Sequence, residues 1–167
     1  GGKTGVNLVE GKNLVGAFHQ PSGVLADTDT LATLPEREYR AGLAEVVKTG
    51  LLAGEDLWEL ETAEQVRRCA VFKAAVCLRD PFDRGERAQL NLGHTFAHAL
   101  EAASGYSLPH GKAVALGLLA ALRLSDLDAL ADTVAQLLRP QRGVVDRERA
   151  WLSLMRDKKV VDGKVQL

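Results

Sequence analysis

The chain is short of cysteine and has no excess of charge of either sign, and each shortage narrows what it can be. Its 167 residues include two cysteines, Cys69 and Cys77. They stand eight apart in a stretch that reads as helix, too far along its axis to bridge each other. Both are therefore expected as free, small, partly buried thiols of a reduced compartment, with the cytoplasm as the default location. Lys and Arg number 21 against 22 Asp and Glu, a net charge of -1. With no dense basic run, nothing supports nucleic acid as the main partner. The apolar run LGLLAAL at 116–122 is too short to cross a bilayer and is followed by Arg123, so no membrane partner is expected. No stretch is built like a signal peptide. An initiator methionine is also missing, for the chain opens GGKTG and its one Met is Met155. A Gly-Gly-Lys-Thr turn ordinarily follows a strand, so the expectation is a chain that begins inside a larger domain. Repeats and low-complexity tracts are absent. Apolar weight is what the chain does have: hydrophobic residues make up 46% of it, enough for one real core.

Three of the four histidines fall within residues 87–112, RAQLNLGHTFAHALEAASGYSLPHGK. At helical spacing Arg87, Asn91, His94, His98 and Glu101 follow at steps of four, three, four and three, which predicts one helix carrying all five on a single face. The other positions are apolar nearly all round, so this helix is expected to be buried with its polar stripe lining a cleft. His94 and His98, four apart, have the spacing by which one helix gives two ligands to a zinc ion. Gly105 suits a helix C-terminus and Pro109 a helix start, so the chain can turn back and bring His110 near the same face at the head of a second helix, HGKAVALGLLAAL. A lone histidine is more often a satisfied core residue than a ligand; three, with an Arg and an Asn on the same face, argue for a site. What such a zinc site lacks is an acidic ligand.

Elsewhere the chain reads as follows. Residues 1–16, with five glycines beside Lys3 and Lys12, have no helical period and predict a loop whose N–H and ammonium groups suit phosphate, a weak signal without P-loop spacing. A short strand is predicted at Gly23 to Ala26, then a capped turn or short helix over Asp27 to Leu34. Pro35 opens a long helix that ends at Gly54. Within it Glu45 and Lys48 share a face, and by spacing alone an intrahelical ion pair is the plainer reading. A short helix at GEDLWELE precedes a longer one, for which Thr62 and Gln65 predict a capping box. Lys73 sits on it among apolar neighbours, either snorkelling to water or pointing into the cleft. DLDALADTVAQLLR and DRERAWLSLMRDKK predict two further helices, and Asp162-Gly163 near the end signals a hairpin.

The strings GGKTG, GKN, FxQPxxVLxDTDTLxTLPxRE, GLAEVVK, LNLGHTFAHALE and HGxAVALG, in this order, closely resemble the 3-dehydroquinate synthase family of sugar-phosphate cyclases. The resemblance runs from Gly1 to Leu167 and covers only the later part of the family's chain. It implies a mainly α fold: residues 1–34 as the tail, loop and short strand, of an N-terminal α/β nucleotide-binding domain, and residues 35–167 as the helical metal- and substrate-binding domain. The implied activity is conversion of 3-deoxy-arabino-heptulosonate 7-phosphate to 3-dehydroquinate and phosphate in the shikimate pathway, with NAD and a divalent metal, zinc or cobalt, as cofactors. The same resemblance supplies the acidic ligand, because it places Glu45 with His94 and His110 on the metal and leaves His98 beside the substrate. It further implies catalytic roles for Lys48, His98 and Asn91, and substrate contacts for Asn13, Lys73, Arg87 and Lys158. Lys3, Lys12, Thr30, Leu31, Ala32 and Thr33 fall at positions beside the NAD. A homodimer is implied for the full-length protein and inactivity for the isolated fragment. Two alternatives remain at this point, a cyclase making inosose or valiolone rings and a non-catalytic helical remnant serving as an interaction module. Two features depart from the family pattern: Lys112 stands where Glu is usual, adding positive charge near the metal position, and the segment after Leu124 is shorter.

Overall fold

A computed structural model describes residues 2–140 and 145–155 and the backbone of 160–161 and 164–165, with residues 11–13 described by backbone alone. The fold is mainly α, as the resemblance implies. Six helices follow a β-hairpin among the described residues: β1 (Lys3–Leu8), β2 (Gly11–Phe18), α1 (Glu36–Ala53), α2 (Thr62–Arg79), α3 (His94–Ala103), α4 (His110–Leu124), α5 (Asp128–Leu138) and α6 (Arg147–Met155). Two short strands, β3 (Val160–Val161) and β4 (Lys164–Val165), pair antiparallel as the Asp-Gly signal predicted.

The core lies between α1, α3, α4 and α5 and is built from small side chains, with Ala44, Val47, Ala97, Ala113, Val114, Leu118, Ala131 and Val134 almost wholly buried. Small residues let helix axes approach closely, and two glycines on α4 take the approach further. A Cβ on Gly111 would lie 2.3 Å from Ala41 Cα, and one on Gly117 would lie 2.1 Å from the Gly93 carbonyl oxygen. The first contact sets α4 against α1, the second against the start of α3. Helix α1 begins after Pro35, carries Glu36 and Glu38 in its first turn where acids suit the helix dipole, and ends at Gly54 in the left-handed conformation.

Four expectations need correction. Residues 1–16 are not a loop: β1 pairs with β2 from Lys3↔Phe18 to Leu8↔Gly11. The alternation of Thr4, Val6 and Leu8 carries the strand, but the glycines dilute the pattern and Val9-Glu10 lacks a recognisable turn signature. No strand forms at Gly23 to Ala26, an exposed stretch without a pairing partner for its backbone. The capping box is not made. Glu61 is the N-cap of α2 and makes no side-chain cap bond; Gln65 instead is buried and donates to the Leu60 carbonyl at 2.9 Å. The long helix through Arg87 and Glu101 is interrupted. Residues Glu86–Asn91 form a 3-10 helix, and Gly93, at φ 75°, breaks it from α3, because only glycine fits both that backbone and the contact with α4.

Candidate metal centre and adjoining cleft

Glu45 lies one turn beyond Ala41 on α1, His94 is the first residue of α3, and His110 is the first of α4 and precedes Gly111. The two glycine contacts therefore gather three side chains from three helices. One ligand atom from each of Glu45, His94 and His110 lies within 4.8 Å of the others. Glu45 Oε1 is 3.3 Å from His94 Nε2 and 3.8 Å from His110 Nε2. Donors bonded at about 2.1 Å to a tetrahedral ion stand about 3.4 Å apart, so one carboxylate and two imidazoles fit a zinc-like cation at this spacing. The fourth position of such a set is left for substrate or water.

Hydrogen bonds orient the donors. His94 Nδ1 is 3.2 Å from the Leu92 carbonyl, which can only accept, so Nδ1 donates there and Nε2 is the nitrogen turned toward Glu45. The other oxygen of Glu45, Oε2, accepts from Lys48 Nζ at 2.5 Å. Lys48 is 5% exposed and donates also to the Leu90 carbonyl at 2.8 Å. This pair is thus part of the site rather than a solvated surface pair. Burial acts to raise the Glu45 pKa, but the His94 hydrogen bond and the Lys48 charge outweigh it and lower it to about 2. Glu45 is therefore an ionised donor across the physiological range.

Beside the three donors opens a cleft of about 530 Å³, lined by Glu45, Lys48, Lys73, Arg87, Asn91 and His94 among others. Lys73 is exposed at its rim. Arg87 is buried, at 4% exposure, and one of its guanidinium nitrogens donates to the Pro81 carbonyl at 3.2 Å. Lys3 also lines the cleft and is paired with Asp83. Together with the edge-to-face contact of Phe18 and Phe82, ring centroids 5.7 Å apart, that pair fastens the hairpin to the loop before Arg87.

Not every expected residue gathers here. His98 is exposed on α3, its ring 5.7 Å from that of His94, and it does not belong to the three-donor group. Thr30, Leu31, Ala32 and Thr33 lie on the 3-10 helix Thr28–Thr33, outside the residues lining the cleft. The side chains of Lys12 and Asn13, and all of Lys158, lie outside the described residues. Lys112 lines a different cavity, between α1, α4 and α5, with Arg37, Arg40 and Arg139. One organising residue escaped the sequence reading. Asp80, the C-cap of α2, accepts from the backbone N–H groups of Arg84 at 2.9 Å, Gly85 at 2.9 Å and Arg87 at 3.0 Å. These bonds lower its pKa below the usual carboxylate value against the effect of burial and fix where Arg87 begins.

Two family models match end to end, "3-dehydroquinate synthase N-terminal" over residues 1–41 and "3-dehydroquinate synthase C-terminal" over residues 42–160. The chain belongs to the 3-dehydroquinate synthase family. A 3-dehydroquinate synthase of Cereibacter sphaeroides is 47% identical over 196 residues, covering 99% of this chain and 53% of its own. Among solved structures, 2-deoxy-scyllo-inosose synthase complexed with carbaglucose-6-phosphate, NAD+ and Co2+ has a TM-score of 0.79 at 26% identity, covering 98% of this chain and 52% of the other. The 2-epi-5-epi-valiolone synthase of Streptomyces hygroscopicus subsp. jinggangensis 5008, with NAD+ and Zn2+ bound, has a TM-score of 0.71 at 28% identity, covering 98% of this chain and 52% of the other. The chain thus spans about half the length of the family members it matches. Among the described residues no helix is long and apolar enough to cross a membrane.

Proposed function

We propose that the chain is the metal- and substrate-binding part of a 3-dehydroquinate synthase, which converts 3-deoxy-arabino-heptulosonate 7-phosphate to 3-dehydroquinate and phosphate. The observation that carries this reading is the convergence of Glu45, His94 and His110 beside a cleft that also holds Lys48, Lys73, Arg87 and Asn91. In it Glu45, His94 and His110 hold a divalent cation, zinc or cobalt. When bound, the cation supplies a Lewis acid for the substrate's vicinal oxygens and NAD supplies a reversible hydride acceptor.

The chain's own residues then bind and orient. Arg87, held from behind by Pro81 and by the Asp80 loop, grips the substrate carboxylate, for which a guanidinium is suited. Lys73, at the rim, adds a second positive charge to that end of the cleft. Lys48 and Asn91 present an ammonium and an amide to the substrate hydroxyls, and His98 serves as a hydrogen-bonding or proton-transfer group once the ligand reaches the exposed face of α3. Asn13 and Lys158 are assigned to the phosphate, and Lys3, Lys12 and Thr30 to Thr33 to the NAD side. Residues 1–34 are assigned to the nucleotide-binding domain and 35–167 to the helical domain. Because relatives carry about as much chain again, residues 1–167 alone are expected to be inactive, and the whole protein to act as a cytoplasmic homodimer.

A second reading has an observation in its favour, since the inosose and valiolone synthases share the fold at TM-scores of 0.79 and 0.71. Arg87 discriminates. With the full-length protein, 3-deoxy-arabino-heptulosonate 7-phosphate is expected to turn over and a sugar phosphate without the carboxylate is not. Arg87→Ala is expected to lower kcat/KM by about 100-fold, roughly the 2.7 kcal/mol of a charge-assisted bidentate contact, mainly through KM. Equal discrimination by wild type and Arg87→Ala would give Arg87 another role, and preference for the carboxylate-free substrate would favour the second reading.

A further inference from the structure

Glu101 belongs to the polar stripe of α3 but not to the cleft, and it is 7% exposed. A buried carboxylate needs partners to offset its desolvation, and its Oε1 lies 3.2 Å from His110 Nδ1. We infer that Glu101 is a positioning residue for the metal centre, accepting the Nδ1 proton of His110 so that the His110 Nε2 lone pair faces Glu45 and His94. This rests on the metal reading proposed above.

Three features carry the inference. First, the two imidazoles of the donor group are treated alike: each has its Nδ1 against an oxygen acceptor, the Leu92 carbonyl for His94 and Glu101 for His110, and each has its Nε2 toward Glu45 Oε1. An imidazole that donates from Nδ1 offers its lone pair at Nε2, so both rings are set as ligands by a neighbour fixed in the fold. Second, His110 needs the support more. Its side chain is 52% exposed against 13% for His94, so packing restrains it less and the hydrogen bond has more of the orientation to supply. Third, Glu101 is itself held. Its main-chain carbonyl accepts from the Tyr106 N–H at 2.8 Å and from Ser104 Oγ at 2.8 Å, the bonds that turn the chain out of α3 and back toward α4. The residue that orients His110 is thus tied to the turn that delivers it.

The test uses the full-length protein freed of metal, with Co2+ as the probe, in wild type, Glu101→Leu and Glu101→Gln. Leucine fills much of the same buried space without an acceptor, while the glutamine carbonyl can still accept from Nδ1. Glu101→Leu is expected to bind Co2+ about 10- to 100-fold more weakly, with a changed Co2+ absorption spectrum and a metal-free unfolding temperature close to that of wild type. Glu101→Gln is expected to recover most of the affinity and the wild-type spectrum. Unchanged Co2+ affinity in Glu101→Leu would overturn the inference, as would a loss in Glu101→Gln as large as that in Glu101→Leu. Wild-type protein that takes up no Co2+ would overturn the metal reading itself, whereas normal uptake by all three proteins would overturn only the role of Glu101.

Discussion

Asp80 shows how far a single side chain reaches in this protein. It touches no residue of the donor group, yet its three backbone bonds close the loop from which Arg87 enters the cleft. Its pKa is lowered from the ordinary 3.8, so its contribution to stability is fully present above that value and is lost as pH falls through the lower folded-state value. Asp80→Asn is accordingly expected to unfold at a lower temperature than wild type at neutral pH, with the gap closing as the pH drops below 3.8. A gap that stays constant across the acid range would mean that the carboxylate charge does not carry the loop. Legibility at this scale was uneven for a physical reason. His94, His98 and His110 stand out because histidines are few, and their spacing can be read directly. Glu45 cannot be linked to them by spacing, since it stands 49 positions before His94, and only the family resemblance made that link. Asp80 gave no signal because its partners are backbone N–H groups, which every residue has.

The helices were legible from apolar periodicity, with α1 bounded at Pro35 and Gly54 as expected. The break before α3 was not. Arg87 to Glu101 keeps a helical period, but Gly93 must sit under α4, and tertiary contact overrode the local pattern. That contact makes a test. In Gly117→Ala the new Cβ would meet the Gly93 carbonyl oxygen at 2.1 Å, the same oxygen that accepts the Ala97 N–H at 3.0 Å to start α3. Overpacking of this kind costs about 1–3 kcal/mol, or about 2–4 °C of unfolding temperature per kcal/mol for a domain of this size. Gly42→Ala, on an exposed part of α1 where a Cβ meets nothing within 4 Å, is expected to stabilise by about 0.5–1 kcal/mol. Thermal unfolding of both variants checks the pair of signs. A neutral Gly117→Ala would show that α3 and α4 do not approach as closely as described.

Across the whole molecule the central claim is that three helices, otherwise joined through a core of small side chains, meet again at one cation. A site drawn from α1, α3 and α4 makes metal binding part of folding, so metal should raise the unfolding temperature as well as enable chemistry. A site drawn from the i, i+4 pair on α3 alone would leave α1 and α4 untouched. The rival assignments differ in one residue that is easily changed: His98, four along from His94 but exposed and outside the donor group, against His110 from the head of α4. The most direct measurement is the metal content of purified full-length His98→Ala, His110→Ala and Glu45→Ala, determined beside wild type after equal exposure to zinc. His98→Ala is predicted to keep a near-full complement while losing activity, and His110→Ala and Glu45→Ala to lose the metal. A metal-free His98→Ala beside a metal-replete His110→Ala would contradict the three-helix site.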